Sequence, residues 1–164
     1  MVGAQPGEVA SKGVLTWLPS AILAAVAVVF AASTWYESAE EAAVRTAVGY
    51  YIDGAKSADP ADFQKAFAVD VADMKYVWKD KDTGVESLVS VPITKAIENW
   101  TKAGKAKSSG KVVNVRIVDD KLAHATIELE WQGNLYVDVM SLYKVNEEWK
   151  IVNKTFVGRG KAGP

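Results

Sequence analysis

The side chains that could carry chemistry in this sequence are few. There is no cysteine, which excludes disulfides, thiolate metal sites and a cysteine nucleophile. There is one histidine, His124, which excludes a multi-histidine metal site. Alternation along Leu122–Trp131 groups Ala123, Ala125, Ile127, Leu129 and Trp131 on one face. It leaves His124 on the other with Thr126, Glu128 and Glu130, a solvated pattern, and His124 with Glu128 offers too few ligands for a metal. No Walker sequence, dinucleotide-type glycine loop or Gly-x-Ser-x-Gly elbow is present. The sequence therefore assigns no catalytic residue, no metal site and no cofactor. What stands out is a carboxylate among apolar neighbours. The strand pattern of Leu135–Tyr143 sets Asp138 on one face with Tyr136, Met140 and Leu142, and that of Trp149–Val157 groups Trp149, Ile151, Asn153 and Thr155.

The elements that must position these residues can be read from periodicity and turn signals. Ala39, Ala43, Ala47, Tyr51 and Ala55 recur every fourth residue, which predicts a helix over 38–56. Neither proline nor glycine separates it from the apolar segment before it until Gly49, so one nearly continuous helix is expected from Pro19 to about Lys56. Asp59-Pro60 starts a short second helix with Phe63 and Phe67 as its apolar pair. Alternation predicts a strand over 74–79, the Asp82-Thr83-Gly84 turn and a second strand over 85–91. Pro92 opens a third helix that faces inward with Ile93, Ala96, Ile97 and Trp100. Ala103–Gly110 reads as a polar loop. Its Lys102, Lys105, Lys107 and Lys111 form either a solvated run or a contact for anionic headgroups. Strands follow over 112–118, 122–131, 135–143 and 149–157. Helices first and a strand meander last predict an α+β fold, a curved antiparallel sheet with helices on one face. Asn99-Trp100-Thr101 and Asn153-Lys154-Thr155 match a glycosylation pattern but fall inside predicted elements.

The 164 residues suffice for one domain, and a net charge of −1 gives no positive field for nucleic acid. From Gly13 to Tyr36 there is no charged residue, a length that suits a membrane-crossing helix. Trp17 marks one end and Trp35 with Tyr36 the other, at the spacing of two interfacial aromatic belts. The segment is expected to be an uncleaved signal anchor. The alternative is a cleaved signal peptide with Ala31-Ala32-Ser33 at the cleavage site. Lys12 before it and Glu37, Glu40 and Glu41 after it place the N-terminus in the cytoplasm and the domain on the periplasmic or extracellular side. The expected organisation is a tail over 1–12, an anchor over 13–36, a folded domain over 37–158 and a tail over 159–164.

Tyr51-Ile52-Asp53-Gly54, Asp59, Ala66-Phe67, the run Asp138 to Val145 and the run Trp149 to Phe156 together resemble the putative lumazine-binding family. That family belongs to the nuclear-transport-factor-2-like (NTF2-like, SnoaL-like) superfamily. The resemblance covers about Glu40 to Val157 and is most specific in the last two strands. It implies a cone of three helices wrapped by a bent sheet, with a pocket at the open end. The superfamily holds enzymes such as ketosteroid isomerase and many non-catalytic modules, so fold alone does not fix function.

By that resemblance the faces of Asp138 and Asn153 line the pocket, with Met140 and Trp149 beside them. Tyr51 approaches from the first helix, and Tyr76 and Trp78 form a wall. Three roles are open to Asp138. It accepts a hydrogen bond from Tyr51, Asn153 or a backbone amide and merely satisfies the core. It holds a ligand, or it acts as a base with a raised pKa. Isomerase chemistry needs an aspartate base opposite two acidic donors, and the sequence shows only the aspartate. The leading expectation is a membrane-anchored, non-catalytic accessory module that contacts a partner or a membrane complex. The alternative is a small-molecule or isomerase-like pocket built on Asp138, Asn153 and Tyr51. A cavity of roughly 300 Å³ or more around an unpaired Asp138 would favour a ligand. A cone filled by Trp149, Phe67 and Trp100 would favour a scaffold. A homodimer or heteromer through the convex face (Val113 or Val115, Val137, Val139, Tyr143) is expected from the family's habit.

Overall fold

The computed structural model describes residues 37–162. The expected anchor over 13–36 and its flanking tail over 1–12 lie outside them. No described helix is long and apolar enough to cross a membrane. The described residues form helices α1 (Ala39–Ser57), α2 (Pro60–Ala66) and α3 (Ile93–Ala103). The strands are β1 (Asp73–Lys79), β2 (Glu86–Pro92), β3 (Ser108–Ile117), β4 (Leu122–Trp131), β5 (Asn134–Val145) and β6 (Glu148–Lys161).

α1 starts at a built cap. Ser38 is extended (φ −66°, ψ 151°), and its side chain accepts from the Glu41 N–H, filling one of the donors that a helix start leaves open. This corrects the expectation of one nearly continuous helix from Pro19 to about Lys56: the backbone leaves helical geometry at Ser38. Glu40 on the first turn ties α1 to the β5–β6 hairpin. Its Oε1 accepts from Lys144 Nζ at 2.9 Å and its Oε2 from Trp149 Nε1 at 2.7 Å. At the other end Ala58 takes a left-handed conformation, and Asp59 then caps α2 through the Ala61 N–H.

The strands form one sheet in the order β2-β1-β6-β5-β4-β3. It is mixed rather than antiparallel throughout. β1 lies parallel to β6 over Asp73–Lys75, because the chain enters β1 from α2 and not from a hairpin. The remaining pairs are antiparallel. Gln132-Gly133 and Asn146-Glu147, all at positive φ, close the two long hairpins, as two-residue turns between right-twisted strands require. Bulges at Val112/Asn114, Leu135/Tyr136 and Ser141/Leu142 bend the sheet. β6 continues to Lys161, so the domain runs past the expected end at 158.

The concave face packs Ala123, Ala125, Ile127, Met140, Leu142 and Ile151 against Val44, Val48 and Phe63 of the helices. Close approach is enforced at two glycines. A Cβ on Gly54 would sit 2.8 Å from Phe63, and one on Gly110 would sit 2.7 Å from Ile52. On the convex side Val113, Val139, Tyr143 and Val157 are exposed, whereas Val115 turns inward to the core.

Candidate binding site

Asp138 sits in the middle of β5 and is fully buried, on the face shared with Met140 and Leu142 as the alternation predicts. Its Oδ2 accepts two donors. The Tyr51 hydroxyl of α1 donates at 2.9 Å, and Lys154 Nζ of β6 lies at 3.2 Å. Oδ1 is buried and has no hydrogen-bond partner among the described residues. Lys154 is itself only 4% exposed. Its ammonium stands over the Phe156 ring at 4.2 Å and the Tyr51 ring at 5.7 Å, where the ring faces carry partial negative charge.

Burial dominates the titration of all three groups. It pushes the Asp138 carboxyl up, against the pull of Lys154 and Tyr51. It pushes the Lys154 amine down, against the pull of Asp138. It also lifts the Tyr51 hydroxyl well above its ordinary range, and the neighbouring Asp138 charge adds to this. Tyr51 is thereby kept as a donor. A buried charge of either sign is costly alone, so the carboxylate and the ammonium depend on each other.

These three residues border a cavity of about 130 Å³. Its apolar lining comes from Ala55, Met74, Leu129 and the rings of Trp100, Trp131, Tyr136 and Phe156. Of these, the rings of Trp100, Trp131, Tyr136 and Phe156 are half-buried. Tyr51, Phe63, Phe67 and Trp100 pack ring against ring at centroid distances of 5.2–6.4 Å. The cone is thus partly filled by Phe67 and Trp100 and partly open. The volume falls short of the 300 Å³ marker, and the unpartnered Oδ1 of Asp138 is buried with no surface open to it.

Of the residues expected at this site, Tyr51 and Asp138 meet as anticipated. Met140 is buried in the core below and does not line the cavity. Tyr76 reaches the site only indirectly, packing on Phe156 at 5.1 Å. Trp78 is 50% exposed and forms no wall. Trp149 faces inward but at the far end of the sheet, on Glu40. Asn153 is the clearest correction, because its amide donates to Asp73 Oδ1 at 2.6 Å, outside the cavity. The cause is the bulge. Leu142 pairs with Ile151 and Ser141 with Asn153, which leaves Val152 as an extra residue in β6. Inward positions therefore run Trp149, Ile151, Lys154, Phe156 instead of strict alternation, since one inserted residue swaps the faces of all that follow. Lys154, the residue missed, comes in by that swap. Its own sequence neighbours, Asn153 and Thr155, give no sign of it. His124 is exposed as expected, with Ser141 Oγ 3.3 Å from its Nδ1.

The family model described as "Putative lumazine-binding" matches residues 39–157, and the chain belongs to that family. Solved structures place the fold in the NTF2-like group. An NTF2-like protein of unknown function from Shewanella baltica OS155 is 22% identical, with a TM-score of 0.66 over 77% of this chain and 100% of that one. One from Methylobacillus flagellatus KT is 23% identical, with a TM-score of 0.65 over 77% and 97%. One from Silicibacter pomeroyi DSS-3 is 18% identical, with a TM-score of 0.61 over 75% and 100%. The curated proteins contain no match to the chain.

Proposed function

We propose that the domain is a binding module that holds a small flat molecule in the cone cavity, with no chemical step performed on it. One observation carries this reading. A largely apolar cavity lined by aromatic rings borders a buried carboxylate–ammonium pair, Asp138 and Lys154. Small-molecule sites are concave, mostly apolar spaces with a few polar groups at fixed places, and this cavity has that make-up. Binding is favoured over catalysis because Asp138 has no surface open to a substrate and its carboxylate is held by the Lys154 ammonium and the Tyr51 phenol.

Trp100 and Trp131 line the cavity, so a bound ring will change their fluorescence. Titration of the full-length chain with small planar compounds should give saturable quenching. Leu129→Phe, which fills the cavity, should abolish it. A spectrum indifferent to every compound, or an effect unchanged in the Leu129→Phe variant, would contradict the proposal.

The uncharged Gly13–Tyr36 segment supports a second element of the proposal, that this module is anchored to a membrane and serves there as an accessory to a partner. Flotation with lipid vesicles tests the anchoring. The full chain should float and a chain lacking residues 1–36 should not. Equal behaviour of the two would remove the anchor.

A further inference from the structure

We propose that the outer edge of β2 docks a second copy of the chain. The two β2 strands pair antiparallel about Val89 and join the two six-stranded sheets into one.

The sheet ends at β2 on one side and at β3 on the other. An end strand presents a row of N–H and C=O groups to new partners. Proteins usually guard it with charges, proline, a bulge or a covering element. β3 is guarded. It carries Lys111 and Arg116, and a bulge interrupts it between Val112 and Asn114. From α1, Arg45 Nη1 donates to the Val112 carbonyl at 3.5 Å, and Ile52 fills the space over Gly110. β2 has none of these guards between Ser87 and Val91. Its register with β1 runs unbroken from Glu86 to Pro92. Its one charge, Glu86, and its one proline, Pro92, stand at the two ends. Ser87, Leu88 and Ser90 are exposed, Leu88 by 73%. Val89 and Val91 suit an extended strand.

The occupant follows from the way this strand complements itself. Paired about Val89, Glu86 lies opposite Pro92 of the second copy, Ser87 opposite Val91 and Leu88 opposite Ser90. The two Glu86 carboxylates then stand roughly 20 Å apart along the junction. That exceeds the screening length of about 8 Å at physiological salt. Each Glu86 also has its own Lys79 Nζ at 3.9 Å. The chain has a net charge of only −1, so two copies approach without strong repulsion. The two Leu88 side chains become diagonal neighbours, a spacing that long side chains still bridge. β2 already runs antiparallel to β1, so the junction continues the pattern. The convex face suits a second copy less well. Arg116, His124, Ser141, Asn153 and Asp73 lie opposite one another, strand by strand, as a polar row across the sheet. A face-to-face contact would take those groups from water.

The chain has no cysteine, so single introduced cysteines report the contact. The full-length chain in detergent is prepared as Ser87→Cys, Leu88→Cys, Val89→Cys, Ser90→Cys and Val91→Cys. Asn114→Cys on β3 and Val139→Cys on the convex face serve as controls. After mild oxidation the covalent dimer is measured. Residues directly opposite in an antiparallel pair have Cα atoms about 4.5–5.5 Å apart, within disulfide reach. The yield should therefore peak at Val89→Cys and be several-fold lower at every other position. Adding Leu88→Lys to Val89→Cys should cut that yield several-fold, because like charges become diagonal neighbours. Leu88 is exposed, so this change leaves the fold intact. Sedimentation in density-matched detergent should show the native chain associating more strongly than Leu88→Lys. A maximum at another β2 position would overturn the register about Val89. A higher yield at Val139→Cys or Asn114→Cys would overturn the choice of edge. Equal association of native chain and Leu88→Lys, or no β2 cysteine cross-linking above the controls, would overturn docking of a second copy at β2.

Discussion

Asp138 and Lys154 have to be considered together, since each makes the other's burial tolerable. Removing one partner of such a pair strands the other charge and typically costs about 3–5 kcal/mol. Lys154→Met alone should therefore lower the unfolding free energy by about that amount. The paired Asp138→Leu/Lys154→Met variant should recover most of the loss, because an apolar pair of similar volume needs no compensation. Urea denaturation of the two variants checks this, and additive losses would mean the ion pair is not what holds the site. Asp73 titrates the opposite way from Asp138. Lys75, with the Asn153 amide and the Ser90 hydroxyl, holds its carboxyl below the ordinary value of 3.8. The folded state thus binds that proton less tightly than the unfolded chain does. The stabilisation is present above the ordinary value and is lost as pH falls through the lowered one. Acid titration of stability should show a shallower loss in Asp73→Asn than in the native chain. Asp138 was legible in the sequence because a single carboxylate interrupts an otherwise apolar face. Lys154 was not, because a lysine flanked by asparagine and threonine has the composition of a solvated position.

At the level of elements the decisive feature is the Val152 bulge. It turns Lys154 and Phe156 inward and sends Asn153 to Asp73. Helix and strand positions follow from periodicity, which is why α1, α2, α3 and the exact extent of β4 could be read from residue types. A bulge leaves no such mark, since valine suits a regular strand and an extra position equally. The parallel β1–β6 pairing was hidden for a similar reason, as it depends on where α2 delivers the chain. Local packing makes sharper tests. Gly54→Ala places a Cβ 2.8 Å from the Phe63 ring and should destabilise by about 1–3 kcal/mol, the usual cost of overpacking. Ser38→Ala removes the side-chain acceptor at the start of α1 and should cost about 1 kcal/mol. Thermal or urea unfolding reads both, and a neutral Gly54→Ala would show that α1 and α2 are less tightly apposed than described.

The described domain as a whole is a bent sheet closed over three helices, with polar ties at one end of the cone and a cavity at the other. The general fold was legible because helices precede a strand meander and the last two strands carry a family pattern. The openness of the cone was not, because it depends on how Phe63, Phe67 and Trp100 share the interior. Binding at the cavity should also stabilise the whole domain, by about 2.7 kcal/mol at a ligand concentration one hundred times Kd. The most direct test of the central claim uses the methionines. The sequence has three, Met1, Met74 and Met140. Met74 lines the cavity, while Met140 is buried in the core outside its lining. With the methyl groups labelled with carbon-13, titration with a planar compound that quenches the tryptophan fluorescence should move the Met74 resonance progressively and leave Met140 nearly fixed. A Met74 signal that stays in place at saturating compound, or one that moves no more than Met140, would contradict the claim that this cavity is where the protein binds its ligand.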